Sequence, residues 1–308
     1  MIYTITLNPA LDRTIWIKNI HYDDANRIQK EEKYAGGKGI DVSRVLGGLD
    51  IINHALGFLG GYAGMEVEGL LLQEGVYCDF TPIANDTRTN IVLNISQSEQ
   101  QILFSASGPE IRPAELTAFF QKLEQLPSPE YVIISGSLPE NLSPVIYARS
   151  IEILKRKNAR VFLDTDGENL RIGITARPTI IKPNIHELQR LVNRDLSQLT
   201  DILTAAEEIR RMGVEIVLVS MGARGILLVT SEERYLAIPP QVTVVNTIGA
   251  GDSAVAGFIF GLVRGMPLRD CLKYAVASGT ATTLQPGTAL AKSRDIEQIL
   301  PRVELKSV

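Results

Sequence analysis

The feature that most constrains the fold is a regular alternation of helix-like and strand-like segments that begins near residue 113. Helical patterns at 114–126, 144–157 and 204–212 alternate with short apolar runs at 131–135, 161–164, 179–182 and 216–220. Similar patterns occur earlier, with strands at 2–7 and 53–59 and a helix at 40–49. Apolar strands joined by helices are typical of a parallel sheet covered on both faces. We therefore predict an α/β domain with a mainly parallel sheet.

Polar residues stand at the ends of several of these predicted strands. They are Asn8, Ser135, Asp164, Asn184 and Ser220. In open α/β sheets, ligands bind outside the carboxyl ends of the strands. The functional site is therefore expected at this edge of the sheet.

Two further stretches, parts of 12–33 and 88–106, do not follow the helix–strand rhythm. They show two-fold alternation at 14–18, 90–95 and 101–104, which is typical of strands. The mixed charges at 30–33 predict a solvated surface. We expect an appended small sheet here.

The bulk composition excludes several classes of protein. The chain has 308 residues, of which 45% are hydrophobic, and a net charge of −4 without a basic run, so nucleic acid is not an expected partner. It has neither an N-terminal signal pattern nor an apolar run of about 18 residues, so we expect a cytoplasmic protein without a membrane partner. Cys78 and Cys271 fit no disulfide or metal spacing, and both are expected to be free thiols.

Residues 246–252, Asn-Thr-Ile-Gly-Ala-Gly-Asp, lead directly into an apolar helical run at 253–263. A glycine-containing turn at a helix N-terminus exposes backbone N–H groups, which favour an anion. Asp252 would lie beside that anion and could act as a general base in phosphoryl transfer to a hydroxyl. The simpler alternative is a helix start with an acidic first turn and no chemistry.

A second glycine cluster, Gly-Gly-Lys-Gly at 36–39, also precedes a helix. It lacks the spacing of a P-loop and of a dinucleotide fingerprint, which makes a dehydrogenase improbable. Asp41 could accept hydrogen bonds from a polyol, or it could be a first-turn acid favoured by the helix dipole.

Two more segments combine strand ends with turn residues. After the strand that ends in Lys182, Asn184 and Glu187 could contribute oxygens to a water-rich Mg²⁺ site, or form an Asn cap with a first-turn Glu. The segment 220–225 reads as a glycine turn between two strands. A hydrolase has little support, because the three histidines are scattered and no G-x-S-x-G elbow is present.

In this order, the motifs resemble the ribokinase-like sugar kinases of the PfkB family, nearly from end to end. The opening Thr-Leu-Asn-Pro-Ala-Leu-Asp at 6–12, the segment 36–44 and the segment 248–253 carry the resemblance. Within the family, 86–90 and 135–139 are similar to the branch of phosphofructokinases and tagatose-6-phosphate kinases. The opening segment, 107–111 and the end at 302–305 are most similar to 1-phosphofructokinases, whereas 191–194 and 283–288 are more similar to the minor 6-phosphofructokinase.

The resemblance implies a three-layer ribokinase-like fold in which residues 1–308 form a single kinase domain. Parts of 12–33 and 88–106 would form a small β-sheet lid. The implied substrates are ATP, with Mg²⁺, and a ketohexose phosphate, first of all fructose 1-phosphate. A 6-phosphofructokinase, a tagatose-6-phosphate kinase and, more distantly, a non-catalytic nucleotide- or sugar-binding regulator are the alternatives. A lid sheet with open edges also favours a homodimer joined through the lids.

The resemblance also implies roles for individual residues. Asp252 would be the base, and the transferred phosphoryl would lie in an anion hole formed by Gly249, Ala250 and Gly251. The sugar would be bound by Asp12, Gly37, Lys38, Asp41 and Ser137, and its phosphate by Arg88 with Arg27. The ATP site would include Lys182, Asn184, Ser220, Gly222 and Gly225, with Mg²⁺ near Glu187 through water.

One residue departs from the family pattern, because Asp41 stands where the family usually has Asn. Asn donates and accepts hydrogen bonds, whereas an ionised Asp only accepts. We therefore predict that Asp41 influences which sugar is preferred.

Overall fold

The computed structural model describes residues 1–98 and 100–308, which form one large and one small β-sheet with helices around the large one. The strands are β1 (Ile2–Thr6), β2 (Ala10–Ile17), β3 (Lys30–Gly36), β4 (His54–Leu59), β5 (Tyr77–Cys78), β6 (Thr81–Pro82), β7 (Arg88–Ile95), β8 (Gln100–Phe104), β9 (Tyr131–Ser135), β10 (Arg160–Asp164), β11 (Ile180–Ile181), β12 (Ile216–Ser220), β13 (Ile226–Val229), β14 (Arg234–Ile238) and β15 (Glu304–Ser307). The helices are α1 (Lys38–Gly48), α2 (Gly61–Gln73), α3 (Pro113–Gln125), α4 (Val145–Arg156), α5 (Gly167–Thr175), α6 (Ile185–Val192), α7 (Leu199–Arg211), α8 (Ala250–Val263), α9 (Leu268–Thr283) and α10 (Ser293–Ile299).

The large sheet has the strand order β15-β14-β13-β12-β11-β10-β9-β1-β4-β5, and β6 also pairs with β4. The strands from β12 to β5 are parallel to their neighbours, while β13, β14 and β15 are added antiparallel at one edge. The predicted α/β fold with a mainly parallel sheet is therefore confirmed.

Alternating residues of the central strands enter two separate hydrophobic cores. On β9, Val132 and Ile134 pack in the core with α3, α4 and α7, whereas Ile133 packs in the core with α1, α8 and α9. Successive side chains of a strand point to opposite faces, so a sheet buried on both sides needs apolar residues at every position. This accounts for the continuous apolar run at 131–134 and gives the three-layer arrangement.

Helix α8 is held close to α9 by glycines. A Cβ atom on Gly257 would lie 2.4 Å from Ser278 Oγ, and one on Gly261 would lie 2.8 Å from Cys271 Sγ. Most of α8 is buried, from Asp252 through Gly261. Because α8 packs tightly along its length, its N-terminus is fixed relative to the large sheet.

The small sheet has the order β3-β2-β7-β8, with β2 and β7 parallel and the other two pairs antiparallel. It combines residues from both stretches that broke the sequence rhythm, and the second small sheet is thereby confirmed. The charged residues 30–33 form the first half of β3, and their side chains are mostly exposed, as their mixed charges predicted. Residues 7–9 join β1 to β2, and Gly37 alone joins β3 to α1.

None of the helices in the described residues is long and apolar enough to cross a membrane. Cys78 is half-buried and Cys271 is buried, and both are free thiols.

Candidate functional site

The start of α8 exposes backbone donors next to a carboxylate. Gly249 precedes the helix in a left-handed conformation (φ 73°), which glycine adopts without strain. Among the described residues, the N–H groups of Gly251 and Asp252 have no acceptor, as is usual in a first helical turn. These N–H groups and the positive end of the helix dipole form an anion-binding site.

Asp252 lies in this first turn and is only 8% exposed. Burial, together with the negative charge of Asp164, raises the pKa of Asp252 to about 7, and Lys38 and Lys182 oppose the shift. Its carboxylate accepts no hydrogen bond from the described residues, so it is free to accept a proton from a ligand. A carboxylate with a pKa near neutrality is suited to general-base catalysis.

Two lysines flank the helix terminus, of which Lys182 is buried and Lys38 is half-buried. Lys182 Nζ lies 3.4 Å from Asp164 Oδ1, and a Cβ atom on Gly251 would lie 3.5 Å from the same ammonium group. Asp164, followed by Asp252 and Glu187, raises the pKa of Lys38 against the opposing effect of burial. Lys38 is therefore charged, and together with Lys182, which pairs with Asp164, it adds positive charge where the helix already favours an anion.

Asp164 is the functional residue that sequence reasoning left without a role. Its carboxylate is almost fully buried at the end of β10, and it affects the pKa values of both Lys38 and Asp252. The sequence showed only that Asp164 is a polar residue at the end of a predicted strand. It could not show that two lysines from distant segments of the chain lie beside it.

A cavity of about 560 Å³ adjoins the anion-binding turn. Ser220, Gly222 and Gly225 line one side, the first residues of α8 line another, and Val242, Val244, Ala254 and Val276 contribute apolar walls. Residues 220–225 form the turn of an antiparallel hairpin between β12 and β13. A cavity of this size with apolar walls that opens onto the anion-binding turn suits a nucleotide base with its phosphates.

Asn184 and Glu187 form a reciprocal cap at the start of α6. Asn184 Oδ1 accepts from the Glu187 N–H at 2.9 Å, and Glu187 Oε2 accepts from the Asn184 N–H at 2.8 Å. Both residues thus lie in one helical turn, in the Asn cap with a first-turn Glu that the sequence analysis gave as one of two alternatives. The chain also passes next to the cavity here, since Asn184 forms a β-bridge with Ser220.

The other face of the site is acidic and includes residues of the small sheet. Asn90 Nδ2 donates to Asp12 Oδ1 at 2.8 Å across the parallel β2–β7 pair. Gly36 leaves room for this carboxylate, because a Cβ atom there would lie 2.1 Å from Asp12 Oδ2. Burial raises the pKa of Asp12, while Asn90 and Arg88 counteract this.

Arg88 and Asn8 tie the small sheet to the large one. Arg88 Nη2 donates to the Asn8 carbonyl at 2.9 Å and Nη1 to the Ala106 carbonyl at 2.7 Å, and its buried Nε has no partner in the described residues. Asn8 Nδ2 donates to the Ser107 carbonyl at 2.9 Å and to Ser137 Oγ at 3.4 Å. Arg88 thus keeps N–H groups available for a ligand anion.

Asp41 lies on α1, between the anion-binding turn at the start of α8 and the acidic side of the site that includes the small sheet. Burial raises its pKa well above the usual range, Arg44 opposes this, and the charges of Asp252 and Asp12 raise it further. These mutual effects show that Asp12, Asp41 and Asp252 belong to one cluster of carboxylates. Gly37 (φ 122°) and Lys38, at the start of the same helix, lie beside it.

Arg27 is the predicted site residue that the structure does not bring to this cluster. It lies in the exposed connection between β2 and β3, and it forms no hydrogen bond or ion pair with another described residue. The remaining predicted site residues lie at the carboxyl edge of the large sheet or on the facing part of the small one.

The sequence matches the pfkB family carbohydrate kinase profile over residues 5–295. It is 34% identical to a 1-phosphofructokinase from Bacillus subtilis over 99% of both chains, and 34% identical to a 1-phosphofructokinase from Borreliella burgdorferi over 100% of this chain and 99% of the other. The fold is similar to that of phosphofructokinase-2 from Escherichia coli in complex with substrates and products, with a TM-score of 0.91 and 31% identity over 98% of each chain. The chain therefore belongs to the pfkB family of carbohydrate kinases and is a sugar-phosphate kinase.

Proposed function

We propose that this protein transfers the γ-phosphoryl group of ATP to fructose 1-phosphate and so forms fructose 1,6-bisphosphate. The observation that carries the proposal is the start of α8, where Asp252 and the free N–H groups lie between the apolar-walled cavity and the acidic cluster. This arrangement suits a nucleotide on one side and a polyol on the other. The names of the curated relatives support the choice of acceptor.

In the proposed mechanism, Asp252 takes the proton of the attacking sugar hydroxyl. Its raised pKa makes it a useful base near neutral pH, and its burial keeps bulk water away from the reacting atoms. Burial, with the negative charge of Asp164, keeps the pKa of Asp252 high, while Lys38 and Lys182 prevent a larger shift.

The turn 249–251 would form the anion hole for the transferred phosphoryl group. Its N–H groups are preorganised because α8 is fixed by its packing against α9. Lys182, next to Gly251, would neutralise charge that develops on the phosphoryl oxygens. Lys38 would do the same from the α1 side.

Mg²⁺ fits the donor set of this site. Glu187 is buried with one carboxylate oxygen engaged in the helix cap, which leaves Oε1 for a metal-bound water. The described residues contain no cluster of three or more metal-ligating side chains, and Mg²⁺ bound with ATP commonly uses few protein ligands. When bound, the ion would offset the charge of the ATP phosphates.

On the acceptor side, Asp12 and Asp41 would accept hydrogen bonds from sugar hydroxyls, near Ser137 and Gly37. Arg88 would bind the phosphate already on the sugar, since a guanidinium offers several donors in one plane. Fructose 6-phosphate and tagatose 6-phosphate would satisfy the same groups, so a 6-phosphofructokinase or tagatose-6-phosphate kinase is the alternative on this site. An intact Asp252 counts against a non-catalytic regulator.

The small sheet would act as a lid over the acceptor and as the contact of a homodimer. Its outer strand β8 exposes Ile102, Leu103 and Phe104, which is an unusual density of apolar side chains for a solvated edge. Pairing two lids would cover them. Light scattering tests this point, and a monomeric mass at working concentration would exclude it.

A panel of acceptors tests the proposed function. ADP release is measured with Mg-ATP and fructose 1-phosphate, fructose 6-phosphate, tagatose 6-phosphate, free fructose or a nucleoside. We expect the highest kcat/KM for fructose 1-phosphate, and at least about 100-fold less for free fructose because it lacks the group that Arg88 would bind. Equal activity on free fructose would contradict the proposed phosphate site. Cytoplasmic fractionation is expected, because ATP is supplied there.

A further inference from the structure

The turn that follows β9 contains a backbone carbonyl that is held by two buried hydroxyl groups. Tyr147 Oη donates to the Gly136 carbonyl at 2.7 Å, and Thr165 Oγ1 donates to it at 2.8 Å. Tyr147 lies in the first turn of α4 and Thr165 follows β10 directly, and both side chains are almost fully buried. Because a carbonyl oxygen has two lone pairs, both of its acceptor positions are filled.

The backbone on the other side of Gly136 is fixed as well. The Gly136 N–H donates to the Asp164 carbonyl at 3.1 Å, and Ser135 Oγ donates to the same carbonyl at 3.1 Å. Gly136 has a φ of 108°, which residues with a side chain rarely adopt. The chain therefore leaves β9 in a turn whose N–H and C=O groups are both tied to neighbouring elements.

The fixed carbonyl determines the direction of the next N–H group. The peptide that joins Gly136 to Ser137 is planar, and its N–H points opposite to its C=O. Since the carbonyl points toward Tyr147 and Thr165, the Ser137 N–H points away from these buried side chains. It has no acceptor among residues 1–98 and 100–308, and Ser137 is exposed. A free donor on a fixed peptide is suited to bind an oxygen atom of a ligand.

Ser137 lies beside residues of the acceptor side of the site. Its Oγ accepts from Asn8 Nδ2 at 3.4 Å, and Arg88 donates to the carbonyl of Asn8. A Cβ atom on Gly136 would lie 3.8 Å from Lys38 Cβ, at the start of α1. Neither Gly136 nor Ser137 lines the cavity of the nucleotide side. A change in this turn should therefore affect the acceptor and leave ATP unaffected.

We propose that Tyr147 and Thr165 are positioning residues that direct the Ser137 N–H toward an oxygen atom of the acceptor. The inference rests on the proposed function, from which it takes the location of the acceptor. If both hydroxyl groups are lost, the Gly136 carbonyl is left buried without a partner, which is unfavourable. The peptide would then rotate to bring the carbonyl oxygen to water, and a hydrogen-bond acceptor would replace the donor in the site.

Steady-state kinetics of Tyr147→Phe, Thr165→Val and the double variant test this inference, with the acceptor that the panel ranks highest. Each single variant leaves one hydroxyl on the carbonyl, so the KM for the acceptor should rise by only about threefold. In the double variant this KM should rise about 30-fold or more, which exceeds the product of the two single changes. The KM for ATP and kcat should stay within about twofold in all three variants.

Two controls separate this role from a general loss of stability. Tyr3→Phe also removes a tyrosine hydroxyl that donates to a backbone carbonyl, that of Pro127 at 3.1 Å, but near the amino ends of β1 and β9, and it should change neither KM. Thr165→Ser keeps the hydroxyl, so its combination with Tyr147→Phe should equal Tyr147→Phe alone. Equal increases in both KM values, or a double variant that only matches the product of the single changes, would overturn the inference.

The single variants keep the inference testable if the double variant does not fold. An acceptor KM that is unchanged in both of them would overturn it. The variants are tested on whichever acceptor ranks highest, so a poor rank for fructose 1-phosphate contradicts the proposed function alone.

Competitive inhibition by inorganic phosphate identifies the oxygen atom that the Ser137 N–H binds. If this atom belongs to the phosphate of the acceptor, the inhibition constant should rise with the acceptor KM in the double variant. If it belongs to a hydroxyl, the inhibition constant should stay within about twofold while the KM rises. If neither value rises, no acceptor oxygen is bound there and the inference is wrong.

Discussion

The nucleotide side and the sugar side of the site are built in different ways. The first is formed by strand ends of the large sheet and by α8, which packs against α9 through glycines. The second brings Asp12, Asn90 and Arg88 of the small sheet to Asp41 of α1, through links as short as Gly37. In the proposed function, phosphoryl chemistry would thus depend on the rigid part of the fold, and acceptor recognition would depend on the small sheet, which can change without disturbing it.

The largest expected effect comes from Asp252, which lies where the two sides meet. Asp252→Asn should lower kcat by about 10³-fold, because the base is lost while the shape of the site is kept. Binding of ATP and of the sugar phosphate, measured by calorimetry, should stay within a few fold. Residual activity above about a tenth of the wild type would show that another group takes the proton.

The same variant should be more stable than the wild type at pH 8. The pKa of Asp252 is raised in the folded protein, so this group contributes stability below its unfolded pKa and loses that contribution as the pH rises through about 7. The free energy of unfolding at pH 8 should rise by about 1–3 kcal/mol in Asp252→Asn, and the gain should shrink toward pH 5. Urea titrations at both pH values measure it.

Arg88→Gln should affect the sugar side alone. It removes the cation that would hold the sugar phosphate, and we expect the KM for fructose 1-phosphate to rise about 10- to 100-fold. The KM for ATP should stay within about twofold, because the cavity of the nucleotide side lacks contact with Arg88. Equal increases in both KM values would mean that the two sides are not separable.

The smallest effect is expected from pH. With the wild type, kcat/KM should fall about tenfold per unit below pH 7, because Asp252 must be ionised to act as a base. Asp164→Asn should move this limb to lower pH, since Asp164 helps to raise the pKa of Asp252. The wild type and Asp164→Asn are compared on the same substrate, so that the titration of the sugar phosphate affects both pH profiles equally. If kcat/KM falls over the same pH range in both enzymes, the role given to Asp164 is contradicted.

Local patterns in the sequence were sufficient to predict the layered architecture. Runs such as 131–134 and 216–219 are apolar at every position, which is characteristic of strands buried on both faces, and the structure has β9 and β12 there. The ends of the strands and helices were less predictable. The strand expected at 179–182 is only Ile180–Ile181, because Lys182 and Pro183 already belong to the connection to α6. The helix expected at 204–212 begins a turn earlier, at Leu199.

Within the site, the anion-binding turn followed by Asp252 could be predicted from the sequence, because all its residues are adjacent in the chain. The surroundings of Asp164 could not be predicted in this way. Its partner Lys182 comes from another element, and only the crossovers of the sheet bring the two together. The sequence likewise did not indicate that Arg27 lies in an exposed connection.

The short links at 7–9 and Gly37 confine any swing of the small sheet to a pivot beside Asp12. In a rotation, displacement grows with distance from the axis, so Asp12 moves little, whereas Ile17 and Ile95 at the far ends of β2 and β7 travel farther. The proposed hydroxyl contacts near the pivot would therefore form before the far ends of the strands arrive. A wrong acceptor would be released while the entrance is still open. The enzyme would then select its acceptor before the site closes for phosphoryl transfer.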